Sequence, residues 1–453
     1  MTKFFGTDGI RAVIGEFPLV EDFVKKLSFT ALDEISKNIP SKNKLVFIGR
    51  DTRGSGAKID SWIISGLQAN GADIIDLGIC PTPAVSYLTK KYNALCGIVI
   101  SASHNPPEFN GIKFFDSNGK KLATEIERKI ESRLDSAKDI TNSVELGNIE
   151  KETSHLNDYS KFLLSTLPED FNLKGFKLVV DCANGANYKI APEVFRHLGA
   201  EIITLGCNPN GENINTDCGT LHTEKMQEMV ISNNADCGLS FDGDADRVIF
   251  ADEAGRRFDG DDIIAMSAVE LKKQNKLKNN AVVLTVMSNA GLVNFLEENG
   301  IKVATVSVGD KYVTQKLDEL NYSIGGETSG HIIFHDFIAT GDGLLTALQT
   351  LVLLKHSGKK MSRFKNMWAK FPSLLKAVTV KEKIPLEKIT GFNENVKKLE
   401  QKLGVGGRIL VRYSGTEPKL RILAEGPNGK ILENIVQEIT DDYQRRSEEL
   451  KCR

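Results

Sequence analysis

Three polar side chains follow one another in ISASHNPPEFNGIKFF (100–115): Ser103, His104 and Asn105. They stand directly after the apolar run at 96–100, which reads as a buried strand. The mouth of a strand-to-loop junction is where α/β proteins keep their chemistry. Much later DGDADR (242–247) follows a second strand-like run, CGLSF (237–241). Asp242, Asp244 and Asp246 alternate with small residues, so an extended loop would turn all three carboxylates to one face. Convergent carboxylates repel one another unless a cation joins them, and hard oxygen ligands of this kind suit Mg²⁺. A loop hydroxyl and a triple-aspartate site together point to phosphoryl transfer through a covalent phosphoserine. Ser-His-Asp hydrolysis fits less well: that elbow reads G-x-S-x-G, and Ser103 lies between alanine and histidine.

Each motif has a plainer reading. SHNP alone is equally a turn, because Asn-Pro is a turn signal. DGDADR overlaps an EF-hand pattern, but Arg247 stands where that loop needs glycine and VIFADE after it is strand-like. Arg247 is expected to face a substrate anion or to neutralise the aspartates. Lys113 lies among Ile112, Phe114 and Phe115, where burial would lower its pKa toward useful acid–base range; its plain reading is a strand lysine reaching water. GGETSGH (325–331) offers Glu327 and Ser329 to sugar hydroxyls or an amine, and His331 alone reads as structural. RYSGTEPKLR (412–421) gathers Arg412, Ser414, Gly415, Thr416 and Arg421, a cradle for a phosphate dianion or a hairpin with surface arginines. FGTDGIR (5–11) ends in Arg11 and says little by itself.

The elements that must carry these loops follow from periodicity. LVFIG (45–49), ADIIDLG (72–78) and GIVIS (97–101) read as strands, separated by helices at 55–70 and at PTPAVSYLTKKY, with another helix at 125–134. Such alternation predicts a parallel sheet with helices on both faces. The polar stretch 136–157 marks a boundary, after which the cycle restarts: strands at 177–183, 200–206 and 237–241, helices at 187–198 and 224–233. A third cycle has helices at 261–274, 290–299 and 343–356, strands at 281–286 and 302–308, and the run SIGGETSGH (323–331). The last segment, with helices at 394–403 and 431–446, reads as α+β with an antiparallel sheet. The expected fold is therefore α/β, with three similar α/β domains (1–150, 151–253, 254–370) and a smaller C-terminal α+β domain (371–453).

Composition removes some classes of partner. The chain has 453 residues, 41% hydrophobic and 26% charged, with 58 basic against 60 acidic side chains and a net charge of −2. No basic field is available for nucleic acid. The longest apolar stretch, 343–354, is too short for a bilayer, and the N-terminal run lacks a signal-peptide core. Seven scattered cysteines without a C-x-x-C pair read as reduced thiols of a cytoplasmic protein.

Taken in order, FGTDGIR, ISASHNP, NGIKFF, DGDADR, VGDKYV (308–313), GGETSGHIIF, TGDGLLTALQ and RYSGTEPKLR resemble the α-D-phosphohexomutase superfamily over nearly the whole chain. The resemblance implies four domains around a central cleft. It implies that Ser103 carries the phosphoryl group and that one Mg²⁺ per chain is held by it with Asp242, Asp244 and Asp246. It further implies that Glu327 and Ser329 bind the sugar, and that Arg412, Ser414, Gly415, Thr416 and Arg421 hold the phosphate that is not reacting. Lys113 and His331 are the acid–base candidates, with His104 third. SGTEP favours the branch that interconverts glucosamine 6-phosphate and glucosamine 1-phosphate through glucosamine 1,6-bisphosphate, for cell-wall precursor synthesis. Glucose or mannose phosphates remain the alternative substrates, and a non-catalytic sugar-phosphate sensor the alternative class. Two positions depart from the family pattern: Thr328, and the run Pro107-Glu108-Phe109. The expected partner is a phosphosugar, with a homodimer allowed and neither nucleic acid nor membrane involved.

Overall fold

The computed structural model describes residues 3–6, 8–38, 44–134, 146–414 and 418–451. They form two compact units, 1–287 with 304–365, and 288–303 with 366–453. The first unit begins with a six-stranded sheet of order β1-β5-β4-β2-β3-β6. Its strands are β1 (Ile10–Val13), β2 (Leu45–Arg50), β3 (Asp73–Ile79), β4 (Cys96–Ile100), β5 (Phe109–Phe115) and β6 (Ile149–Lys151). Helices α1 (Glu21–Asn38), α2 (Gly56–Gln68), α3 (Thr82–Lys91) and α4 (Thr124–Leu134) accompany it. Leu32, Ile48, Ile63, Ile98 and Ile130 share its core.

The expected parallel sheet is in fact mixed. β2 runs parallel to β3 and β4, but β5 is antiparallel to both β4 and β1. The reason lies in loop length: only residues 101–108 join β4 to β5, too short a connection for a crossover helix. This return brings Lys113 back beside the end of β4. α1 has no counterpart among the elements expected from periodicity, and residues 149–151, inside the polar stretch 136–157, add an edge strand to this sheet.

A second sheet, of order β11-β10-β9-β7-β8, comprises β7 (Lys177–Asp181), β8 (Glu201–Leu205), β9 (Cys237–Phe241), β10 (Val248–Asp252) and β11 (Arg257–Phe258). α5 (Leu156–Ser165) precedes it, and α6 (Ile190–His197) and α7 (Glu224–Ser232) connect its strands. β9 and β10 are buried along their whole length, their polar residues Ser240 and Asp252 included. Next comes α8 (Gly260–Lys273), whose start is fixed by a capping box between Asp259 and Asp262.

The third sheet, of order β13-β12-β14-β15, contains β12 (Ala281–Thr285), β13 (Lys302–Val306), β14 (Ile324–Gly326) and β15 (Ile332–Phe334). With it come α10 (Asp310–Leu320), α11 (Gly343–Ser357) and the short α12 (Ser362–Lys365). Asp342 caps α11 by accepting from the Leu345 N–H at 2.9 Å, and Gly358 ends the helix in the left-handed region.

In the second unit, α9 (Ala290–Glu298) starts at Asn289, whose side chain exchanges hydrogen bonds with the backbone of Phe371 at 3.0 and 2.9 Å. β16 (Ser373–Thr379), β17 (Arg408–Tyr413) and β18 (Lys419–Glu425) form an antiparallel sheet of order β16-β18-β17. α13 (Phe392–Gln401) and α14 (Leu432–Lys451) complete the unit over a core of Phe392, Leu399, Leu420, Ile422 and Ile439. Among the described residues no helix is long and apolar enough to cross a membrane.

Candidate active site

Ser103 opens the turn after β4 with φ of 54°, a left-handed conformation that any residue bearing a Cβ adopts at a cost. Its hydroxyl donates to Asp242 Oδ2 at 2.6 Å and lies 3.3 Å from His104 Nδ1. Its N–H donates to Ser101 Oγ at 2.8 Å. The side chain is fully buried, so bulk water does not reach the hydroxyl.

Asp242, Asp244 and Asp246 occupy the six-residue connection closed by the Phe241–Val248 pair of β9 and β10. The sequence suggested an extended loop with alternate side chains on one face. The connection is instead a tight turn, with Ala245 at φ of 63°. Small residues are needed for close approach: a Cβ on Gly243 would come within 2.6 Å of the Ser103 carbonyl oxygen. The result is still convergence, since one carboxylate oxygen of each aspartate lies within 4.8 Å of the other two. Asp244 Oδ1 and Asp246 Oδ1 are buried and have no hydrogen-bond partner. Buried acceptors left unmatched are rare and costly, and an all-oxygen, triply anionic set suits a hard divalent cation. The residues present therefore fit Mg²⁺.

Lys113 faces the same triad, 2.7 Å from Asp244 Oδ2 and 3.3 Å from Asp246 Oδ2, with Asp8 Oδ2 at 3.1 Å. The expected lowering of its pKa is overturned. Burial acts in that direction, but Asp244, Asp8 and Asp246 together hold the ammonium well above its ordinary value. Lysine among apolar neighbours in the sequence is, in space, a lysine among carboxylates. Asp246 is correspondingly pulled down: burial opposes ionisation, and Lys113 and His331 outweigh it. Thr82 steadies the triad by donating to Asp244 Oδ2 at 2.5 Å.

Arg247 donates through Nη1 to His104 Nδ1 at 2.7 Å. Burial and the guanidinium groups of Arg247 and Arg11 push the His104 pKa down to about 4, so the ring is neutral and Nδ1 is an acceptor. His331 sits with Nδ1 3.5 Å from Asp246 Oδ1, while its Nε2 accepts from the Gly341 N–H at 3.2 Å and lies 3.4 Å from Asp310 Oδ2. Both ring nitrogens thus face protein groups, one of them a carboxylate of the triad. Lys121 pairs with both Asp8 and Asp310, so charges alternate around the site from Arg11 to His331. Glu327 Oε1 accepts from the Gly309 N–H at 3.0 Å. A cavity of about 100 Å³ is lined by Asp8, Lys121, Arg247, Gly309, Glu327 and His331, among others. Thr328 turns away to Asp261 Oδ1 at 3.0 Å, and Ser329 is exposed at the tip of its turn.

Asp8, Lys121, Asp310 and Thr82 were not identified from the sequence. Asp8-Gly9 in FGTDGIR and Gly309-Asp310 in VGDKYV were the available signal for two of them; Lys121 and Thr82 gave none. In the second unit, Arg412 and Arg421 are directly opposite in the β17–β18 register. Burial first, then Arg421, lowers the Arg412 pKa. Ser414 is buried, and its N–H donates to the Lys419 carbonyl at 2.8 Å. Gly415 and Thr416 lie outside the described residues.

Residues 2–141, 157–255, 259–371 and 375–442 match, in turn, the phosphoglucomutase/phosphomannomutase alpha/beta/alpha domains I, II and III and C-terminal domain. The chain belongs to the phosphoglucomutase/phosphomannomutase family, the α-D-phosphohexomutases. Its relatives include the phosphoglucosamine mutase of Aliarcobacter butzleri, 44% identical over 440 residues covering 96% of this chain and 98% of that one. The phosphoglucosamine mutase of Clostridioides difficile is 43% identical, covering 97% of this chain and 99% of that one. Among solved structures, a family member from Burkholderia thailandensis superposes with a TM-score of 0.80 at 24% identity, covering 100% and 98% of the two chains. The Aspergillus fumigatus N-acetylphosphoglucosamine mutase, solved with GlcNAc-6P and magnesium, gives 0.69 at 17% identity, covering 98% and 96%.

Proposed function

We propose that the protein interconverts glucosamine 6-phosphate and glucosamine 1-phosphate, with Ser103 as phosphoryl carrier. The observation that carries the reading is the Ser103 hydroxyl, held 2.6 Å from Asp242 where three carboxylates converge. Phosphoserine 103 gives its phosphoryl group to the free hydroxyl of the sugar phosphate: the Oγ–P bond breaks, a sugar O–P bond forms, and the proton of that hydroxyl ends on the serine oxygen that leaves. The resulting 1,6-bisphosphate turns over, and its other phosphoryl group returns to Ser103.

Asp242, Asp244 and Asp246 would hold one Mg²⁺, which when bound neutralises charge on the transferring phosphoryl group. Lys113, kept cationic, adds positive charge across the same triad. His331 lies beside Asp246, and Arg247 fixes His104 beside the nucleophile. Glu327 keeps one carboxylate oxygen on Gly309 and lends negative charge to the cavity, which suits the C2 ammonium of an amino sugar. Thr328, bonded to Asp261, shapes that loop and does not read the sugar. Arg412, Ser414 and Arg421, with Gly415 and Thr416, grip the distal phosphate.

The test is a side-by-side assay of glucosamine, glucose and mannose phosphates with Mg²⁺ and a sugar bisphosphate activator. The amino sugar should have the highest kcat/KM, and Glu327→Gln should lower that value more for it than for glucose 1-phosphate. Preference of the wild type for glucose or mannose phosphate would overturn the substrate assignment. Turnover by Ser103→Ala would overturn the phosphoserine route.

A further inference from the structure

Arg53 is one of the largest fully buried side chains in the molecule, and it touches neither the triad nor the cavity. Every N–H of its guanidinium is spent. Nε donates to Asp51 Oδ2 at 2.9 Å, and Nη1 donates to the carbonyls of Pro106 and of Phe109, the latter at 2.9 Å. Nη2 donates to the Ser103 carbonyl at 3.0 Å and the Asn105 carbonyl at 2.8 Å. Four carbonyls of one turn thus converge on a single planar cation, which lysine, with its compact ammonium, cannot match in geometry.

A second group meets the same two carbonyls from another part of the chain. Asn215 Nδ2 donates to the Ser103 carbonyl at 2.9 Å and the Asn105 carbonyl at 3.0 Å. Asn215 is itself held in the left-handed region, φ 60°, with its N–H on the Ala183 carbonyl at 2.9 Å. Asp51 completes the frame: it accepts from Ser101 Oγ at 2.6 Å, and Ser101 Oγ accepts the Ser103 N–H. The peptides on both sides of Ser103 are therefore fixed, one through its N–H and one through its carbonyl.

We infer that Arg53 and Asn215 are positioning residues that clamp the nucleophile loop and force Ser103 into the left-handed conformation that aims Oγ at the metal triad. Such a conformation relaxes unless its surroundings over-determine it, and a hydroxyl displaced by about 1 Å loses on the order of 10²-fold in rate. The inference rests on Ser103 being the phosphoryl carrier. On the nucleophile loop the clamp touches only backbone carbonyls, so it acts alike on every phosphosugar and leaves substrate binding alone.

The experiment measures kcat, KM and thermal stability for Arg53→Lys, Asn215→Ala and Ser103→Ala in the full chain. It adds the rate at which each dephosphorylated variant takes a phosphoryl group from glucose 1,6-bisphosphate and the ³¹P resonance of the phosphoenzyme. For Asn215→Ala, which removes a neutral donor and no buried charge, kcat and the phosphorylation rate should fall at least about 10-fold, with KM within about threefold. Its ³¹P line should shift or broaden. Arg53→Lys should fall further, toward about 10²-fold; if it does not fold, Asn215→Ala decides. Folded Asn215→Ala with wild-type kcat and an unmoved ³¹P line would overturn the clamp. Phosphorylation of Ser103→Ala would instead overturn the carrier assignment on which the clamp rests.

Discussion

The turn that holds Ser103 and the hairpin that holds Arg412 and Arg421 treat charge in opposite ways. Around Ser103, cations and anions alternate: Arg53 on Asp51, Lys113 on Asp8, Asp244 and Asp246, and Lys121 on Asp8 and Asp310. Apart from Asp242, whose carboxyl is pushed well above its ordinary range by burial and by Asp246 and Asp244, these buried charges have opposite neighbours, which is what lets such a cluster persist away from water. In the β17–β18 hairpin two guanidiniums stand directly across from one another, and the proximity of Arg421 adds to burial in lowering the Arg412 pKa. Like charges in that register are destabilising. The first region sets opposite charges side by side; the second sets two like charges on facing strands, the arrangement on which the proposed grip on a phosphate dianion rests.

The widest separation of the two regions comes from removing the nucleophile. Ser103→Ala should lower kcat by about 10³-fold or more, and the form heavier by roughly 80 Da, one added phosphate, should vanish from intact mass spectra. Melting temperature should stay near wild type. Asp244→Asn strips one ligand from the triad and one anion from Lys113, so Mg²⁺ affinity and activity should fall together. Chelation should silence the wild type, and Mg²⁺ should restore it while Zn²⁺ does so poorly, because the ligand set is all oxygen.

Arg412→Ala should act on the other side of the comparison. It should raise KM for glucosamine, glucose and mannose phosphates alike, by about 1.5–3 kcal/mol for a lost charge-assisted contact, and leave Ser103 phosphorylated. A selective loss for one sugar would mean that the hairpin reads the ring as well as the phosphate. The smallest effect tests the rule of internal neutralisation on a carboxylate whose hydrogen-bond donors are neutral. Asp342 accepts from Tyr159 Oη at 2.9 Å and the Leu345 N–H, and burial lifts its pKa to about 7. With the folded pKa above the unfolded value of about 3.9, its favourable contribution is complete at low pH and is lost as pH rises through 7. Asp342→Asn stays neutral throughout, so its Tm relative to wild type should improve from pH 5 to pH 8.

Fold class was legible because Val- and Ile-rich runs such as 96–100 and 281–285 are buried throughout, and continuous apolarity survives as a signal without tertiary information. The antiparallel return of β5 was hidden, since direction depends on the eight-residue loop before it and not on NGIKFF itself. At the site, Ser103 and the three aspartates announced themselves because unusual residues cluster locally in sequence. Arg53 and Asn215 did not: one follows a strand as many surface arginines do, the other lies in a polar loop, and their meaning arises only where distant segments share two carbonyls. Lys113 was found for the wrong reason, because its sequence neighbours are apolar while its spatial neighbours are acidic.

All three convergent aspartates ride on one six-residue hairpin connection whose ends are pinned by the Phe241–Val248 pair. Carboxylate cluster and strand pairing are therefore a single heritable unit. A substitution there removes one oxygen donor, but an insertion or deletion of one residue would rotate the remaining carboxylates away from each other or slip β10 against β9, whose residues are buried on both faces. The length of this connection is accordingly as strictly constrained as its composition. Variation during divergence should enter the chain as point changes around DGDADR and as length changes only in exposed connections elsewhere.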